Sequence, residues 1–444
     1  MKSSKVFIDG IQSTKRYVKT ETKKNWREFW LAFGILALGV SSASLVFADD
    51  FLGLWRLKQM IPPGHYLVLF QNNAEQRPSG GFIGSFATLD ITASGYENLV
   101  VDTNIYKRDN AFTERVAISP PEPLKGVATN DRLAMRDSNW DIDFRSSAER
   151  VSWFYKQEGG EAVDGVIAIN ATVAQDLLKI IGSIPLPTGD ELKAENFFTT
   201  LHYIIEKEYF YDPVQRQQNE PKTVIKELIP TFISRLKQAN VLVRLPAFIQ
   251  QELNERQIQL YHTDENVEAN ILAANWGGAI SETKGDYLAL FNANVGGQKS
   301  SLNVSQKTTV KIELETNETL YHRVIIERTH QGTGVWPDHT NNNYLRIVVP
   351  SNAKLISATF NGSDRFDQIN IEPAFNKTVF GTHVDTEPGA TSQLVLEYLV
   401  KLDQNRQSLF YQKQSGTLAE ALEVSVGDRT VFNALLSTDA TVKF

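Results

Sequence analysis

Residues 29 to 48, FWLAFGILALGVSSASLVFA, carry no charged side chain. A helix of about 20 such residues matches the thickness of the hydrocarbon layer of a membrane, so this run divides the chain into a short upstream part and a long downstream part. Upstream stand Lys2, Lys5, Lys15, Arg16, Lys19, Lys23, Lys24 and Arg27 against Asp9, Glu21 and Glu28; Asp49 and Asp50 come directly after. Basic flanks stay on the cytoplasmic side. The pattern predicts a basic cytoplasmic leader at 1–28, a single-pass anchor at 29–48, and an extracellular remainder at the cell membrane. A buried core helix would need a polar face, which the run lacks. Cleavage after the small residues of VFA is the competing fate of a signal peptide; the length of the run and of its basic leader favours an uncleaved anchor.

The rest has the composition of a packed protein. With 444 residues, 42% hydrophobic and 22% charged, it is long enough for two or three cores and too apolar for wholesale disorder. A net charge of -7 argues against nucleic acid as the partner, which needs a basic face. The absence of cysteine removes disulfides and thiolate chemistry.

Two patterns succeed one another along the chain. From about residue 62 to 303 strand-like apolar runs alternate with helical spacing. HYLVLF and FIGSFATLDI predict strands, SSAERVSWFYKQEG (146–159) a helix, DGVIAIN a buried strand, ATVAQDLLKIIG a helix closed by Gly182, and DYLALFNANVGG a further strand. Helices are also expected around 195–209, 222–239 and 245–256. Such alternation predicts an α/β fold: a layered α/β/α domain with a mostly buried sheet. From 307 to 444 the period becomes two, with TTVKIELE, HRVIIERT, YLRIVVP, LISATF, QLVLEYLVKL, LEVSV and TVFNALL. Short strands at near-regular spacing predict an all-β, immunoglobulin-like sandwich.

One turn stands out as a site. In NNAEQRPSGGFIGSF (72–86) the chain leaves a strand, presents Arg77 and then strips the next turn of side chains. Glycines there would let backbone N–H groups approach an anion while the guanidinium supplies a bidentate fork. The bland alternative has Gly80, Gly81 and Gly84 serving tight strand packing and Arg77 pairing with Glu75. RDSNWDIDF (136–144) adds Arg136 and Asp137, or else a capping loop before Ser146. DPVQRQQNEPKTVIKEL (212–228) adds Arg216 and Gln217 before a helix, or else a solvated turn. The seven histidines form no close pair; His330 and His339 read as surface residues, and Trp336 and Tyr344 as loop residues able to meet a partner.

The words YLVLFQNNAEQRPSGGFIGSF, PPEPLKG…MRDSNWDIDF, VDGVIAINATVAQDLLKIIGSIPLP and NANVGGQKSS, over roughly residues 62 to 350, resemble the bacterial domain-of-unknown-function family 4012. That family has no established activity. The order of elements is also similar to that of the LytR-CpsA-Psr family, membrane-anchored phosphotransferases that move glycopolymers from a polyprenyl-pyrophosphate carrier to the cell wall. This second resemblance implies a phosphotransferase or pyrophosphatase acting on a polyprenyl-phosphate-linked glycan or cell-wall polymer. Arg77, Glu75, Ser79, Arg216 and Gln217 would then bind the ligand, with Arg136 and Asp137 catalytic and Asp137 holding magnesium. Here Pro78, Ser79 and Gly80 come after Arg77 where that family has Ser-Asp, so an acid expected at the metal is missing; Glu75 and Asp102 are the nearest substitutes. A non-catalytic surface protein that binds glycan or serves adhesion is the alternative.

Overall fold

The computed structural model describes residues 57–444 apart from 129–130, 187–188, 209–227, 229–230, 233, 284, 317 and 402–407. The expected leader and anchor lie outside the described residues, as does half of the helix expected at 222–239. Among the described residues no helix is long and apolar enough to cross a membrane.

The first sheet has five strands. In order across the sheet these are Gly95–Asp102 (β3), Gly80–Thr92 (β2), Gly64–Arg77 (β1), Gly165–Asn170 (β4) and Ile258–His262 (β5). Only β1 and β4 run parallel; the other neighbours are antiparallel. Side chains alternate between its two faces. Tyr66, Val68, Ile167, Ile169, Ile258 and Leu260 enter one apolar cluster with the helices Ala171–Ile181 and Leu245–Asn254. Leu67, Leu69, Val166, Ala168 and Tyr261 enter another with helix α1 (Ile105–Thr113) and helix α2 (Phe144–Gln157). Burial on both faces is why these strands read as unbroken apolar runs. Helix α2 is capped by Asp143, whose Oδ1 accepts from the Ser146 N–H at 3.0 Å, so the capping reading of that loop holds for Asp143.

The second part packs two sheets face to face. Seven strands lie in the order 363–364, 354–360, 391–401, 319–330, 304–316, 420–426, 429–436, and six in the order 370–374, 377–383, 343–350, 286–294, 408–412, 440–443. Val310, Val324, Leu394 and Leu396 from one sheet meet Leu290, Ile347, Phe380 and Leu409 from the other. The seven strands expected here are all present, joined by 370–374, 377–383, 408–412 and 440–443, which the period-two pattern does not pick out.

One strand is placed differently from expectation. Asp286–Asn294 (β6), read as part of the first sheet, pairs antiparallel with 343–350 and parallel with 408–412. All nine residues are buried. Leu288 and Leu290 face the sandwich core, whereas Tyr287, Ala289 and Phe291 face Ile142 and Ile280. A strand covered on both sides has the same apolar signature in either sheet, so its sequence does not say which one it joins.

Candidate functional site

The Arg77 turn is tighter than its sequence suggests. Strand β1 ends at Arg77, β2 starts at Gly80, and Pro78 and Ser79 alone lie between them. Asn72 pairs with Phe82 and Gln76 with Gly81, so residues 73–75 bulge out of the ladder and carry Glu75 toward Arg77. The glycines serve close packing. A Cβ on Gly80, whose φ is +134, would stand 2.2 Å from Gln71 Oε1, and one on Gly81 would stand 2.2 Å from the Asn72 carbonyl carbon. A segment of the sandwich, Gln412–Thr417, lies across this turn. A Cβ on Gly416 would meet Gly80 Cα at 3.1 Å, and Gln414 Nε2 donates to the Arg77 carbonyl at 3.0 Å and the Asn292 carbonyl at 2.8 Å. Asn73 donates to the Gly416 carbonyl at 2.8 Å, and Ser415 Oγ donates to the Arg256 carbonyl at 2.7 Å. The backbone around the glycines is therefore occupied by another part of the chain rather than left as a cradle for an anion.

Arg77 and Arg136 do meet. Arg77 Nη2 donates to Glu75 Oε1 at 3.1 Å and to Asp137 Oδ1 at 3.0 Å, while Nη1 donates to the Asn294 carbonyl at the end of β6 at 2.6 Å. Arg136, on the short 3₁₀ turn Met135–Asp137, has its Nη1 3.1 Å from Asp109 Oδ2 and its Nε 3.6 Å from Asp137 Oδ2. Lys299 Nζ stands 2.6 Å from Glu75 Oε2. Three cations thus alternate with three carboxylates, and both guanidinium groups are buried, at 2% exposure each. Nε of Arg77 and Nη2 of Arg136 have no hydrogen-bond partner among the described residues. Two rings lie against the cluster. Phe82 packs 5.2 Å from the Arg77 guanidinium, and Tyr106 packs 4.9 Å from that of Arg136.

The electrostatics reflect burial and pairing. Burial alone would raise the Glu75 carboxyl, but Lys299 and Arg77 overcome it and hold it below the ordinary carboxylate range. Burial pulls the Arg77 guanidinium down while Glu75 and Asp137 more than restore it. Asp109 is pushed up to about 6 by burial against the pull of Arg136. Glu158 is pushed up to about 8 by burial and by Asp109.

The other expected site residues fare differently. Ser79 is buried and donates to the Asn139 carbonyl at 3.2 Å, away from the guanidinium groups. Asp102 pairs with Arg108 Nε at 2.9 Å and accepts from the Asn104 N–H at 2.9 Å, and takes no part in the cluster. Arg216 and Gln217 lie outside the described residues. Magnesium needs several free oxygen donors in octahedral geometry. Asp137 and Glu75 commit theirs to Arg77, Arg136 and Lys299, and the described residues hold no group of three acids or histidines spaced for a metal. The residues as placed do not fit that ion. His330, read as a surface residue, is 1% exposed, with Nε2 2.9 Å from the His339 carbonyl. Tyr344 is buried in a strand rather than a loop.

Asp109, Glu158, Lys299, Phe82 and Tyr106 escape the sequence reading. Lys299 stands in NANVGGQKSS and Phe82 in the Arg77 stretch, both among the words that carry the family resemblance; Asp109 and Tyr106 share the helix IYKRDNAFT, whose sequence has no motif. On the opposite face of the sheet an apolar cavity of about 40 Å³ is lined by Leu57, Ile61, Val68, Ile249 and Leu253. That is room for one small group, not for a lipid chain.

Comparisons with known proteins name no chemistry for this chain. No curated protein matches the chain. Among solved structures, a protein described as a nutrient binding protein from Legionella pneumophila aligns at 10% identity and a TM-score of 0.23, covering 32% of this chain and 54% of that one. A zinc metallopeptidase of the M1 type from Deinococcus radiodurans aligns at 11% identity and a TM-score of 0.18, covering 28% and 32%. The chain spans about half the length of the first and a third of the second, and overlaps this loose carry no argument about fold or activity. The family match is of another kind, though shorter than the 62–350 of the resemblance: residues 62–204, which contain Arg77, Arg136 and Asp137, match the family described as protein of unknown function, DUF4012.

Proposed function

We propose that the protein is a membrane-tethered envelope protein whose extracytoplasmic part binds a phosphate- or pyrophosphate-bearing lipid or glycopolymer. The N-terminal helix would hold it to the cell membrane, and the partner would be a polyprenyl-phosphate-linked glycan or cell-wall polymer. Residues 62–303 act in this reading as a layered α/β/α binding unit and 307–444 as an immunoglobulin-like sandwich. The helices on both faces of the five-stranded sheet and the two facing sheets support that division, with β6 lent across the boundary. The observation that carries the functional reading is the convergence of Arg77 and Arg136 on one carboxylate, each with an N–H that has no partner among the described residues. Phosphate oxygens are the natural acceptors for such donors. The paired acids make Asp137 the group a phosphate must displace or join. Binding of this kind holds a ligand without lowering a barrier, so phosphotransfer is a separate step to be tested.

The test is titration of the full-length protein in lipid nanodiscs with inorganic pyrophosphate and with a polyprenyl pyrophosphate, with and without chelator. Saturable binding is expected in chelator, weakened about 10- to 100-fold in Arg136→Gln. Absence of binding by protein that unfolds cooperatively overturns the reading. Release of phosphate with a divalent ion would add catalysis to it.

Full charge pairing favours a second reading, in which the cluster is a structural clamp in a non-catalytic glycan-binding or adhesion protein. Substitutions would then change stability and leave glycan binding alone.

A further inference from the structure

Side-chain rings cover the ion cluster. Phe82 is 8% exposed and lies 5.2 Å from the Arg77 guanidinium and 5.6 Å from Lys299 Nζ. The Tyr106 ring is 6.3 Å from that of Phe82, tilted by 35°, with the Arg136 guanidinium 4.9 Å from it. Yet Tyr106 is 44% exposed while the arginines beneath are 2% exposed. Burial, then Glu75, raise the pKa of its phenol, and Lys299, Arg136 and Asp137 also act on it. Tyr106 thus meets water on one side while its ring lies against the Arg136 guanidinium. It sits in the first turn of α1, the helix that also supplies Asp109 to Arg136. A ring held by neighbouring side chains rotates far faster than a packed backbone segment opens.

We infer that Phe82 and Tyr106 form a movable roof over the Arg77–Asp137–Arg136 cluster, and that Tyr106 both admits a phosphate and packs its ring against a sugar attached to it. This rests on the phosphate reading above. When the roof swings out, Nε of Arg77 and Nη2 of Arg136 become the open donors for phosphate oxygens. The displaced phenol ring offers an amphipathic surface, apolar in the body and polar at the tip, that suits the mixed face of a sugar. A structural clamp needs no such cover; its ions would be sealed by packed core.

The experiment compares inorganic pyrophosphate, glucose 1-phosphate and glucose on the full-length protein, with Tyr106→Ala, Tyr106→Phe and Arg136→Gln. The wild type is expected to bind both phosphates and not glucose. In Tyr106→Ala, pyrophosphate should associate about tenfold faster through the opened roof, while glucose 1-phosphate binds about tenfold more weakly. Tyr106→Phe keeps the ring and should stay within about threefold of wild type for both ligands. If both phosphates bind, depend on Arg136, and are indifferent to Tyr106→Ala, the roof is wrong and the phosphate site stands. If neither binds the wild type, the phosphate reading falls and takes the roof with it.

Discussion

Asp137 Oδ1 accepts a 3.0 Å hydrogen bond from Nη2 of Arg77, although the two residues are 60 positions apart and belong to different elements. One carboxylate thus stands between the end of a β-strand and a 3₁₀ turn, and the 3.6 Å approach of its other oxygen to Arg136 Nε makes it common to both arginines. Removing it should be costly. Asp137→Ala strips two buried guanidinium groups of a shared counter-charge, and a loss of about 3–5 kcal/mol is expected in urea unfolding. Arg77→Met combined with Asp137→Ala should lose less than the sum of the two single changes, because the second removes a partner already gone. Strict additivity would show that the two residues do not interact in solution.

The glycines of the Arg77 turn make a separate prediction. Gly81→Ala places a methyl 2.2 Å from backbone, which no side-chain rotation relieves. Gly159→Ala has nothing within 4 Å and only its φ of +91 to strain it. Thermal unfolding should show Gly81→Ala costing more than about 3 kcal/mol and Gly159→Ala about 1–2 kcal/mol. Equal effects would mean that packing at Gly81 is looser than described.

Gln414 ties the sandwich to this same turn. Its amide donates to the Arg77 and Asn292 carbonyls, and its Oε1 accepts from the Asn292 N–H at 2.8 Å. Gln414→Ala leaves these buried groups unpaired, so stability should fall by about 2–4 kcal/mol. Protease resistance of the junction should fall with it. A change below about 0.5 kcal/mol would place Gln414 outside the joint.

Glu252 gives a dependence on pH. It is 1% exposed, its Oε2 has no partner among the described residues, and burial, then Asp176, push it from an ordinary 4.5 up to about 8. The folded chain therefore holds this proton where the unfolded chain releases it. Its contribution is largest below about pH 4.5 and declines as pH rises toward about 8. Glu252→Gln should flatten that decline in chemical denaturation between about pH 4.5 and about pH 8, a window taken from those two values. An unchanged slope would assign the decline to other groups, such as Glu268, which burial pushes up to about 7.

Much of the fold was legible locally. GVIAIN announces a doubly covered strand because its residues up to Asn170 are all apolar, and ATVAQDLLKII closes at Gly182, where φ is +78. The period-two runs at 304–316, 319–330 and 391–401 mark their strands because one face of each is more exposed than the other, whereas YLRIVVP is buried on both faces. The candidate site was legible in part: Arg77, Arg136 and Asp137 could be named, and the resemblance that ordered them also brought in Arg216, whose segment lies outside the described residues. Asp109, Glu158 and Tyr106 could not be named, because a buried carboxyl in a helix looks like any solvated one until its neighbours are known.

Local pattern, then, settled which segments are helix and strand, since apolar period and turn chemistry act over a few residues. Only the folded chain settled which sheet receives Asp286–Asn294, why Gly80 and Gly81 lack side chains, and how the charges of Arg77 and Arg136 are met. Those outcomes depend on groups brought together from separate elements, such as Asp137 against Arg77 and Gly416 against Gly80, and such contacts leave no periodic trace in the order of residues.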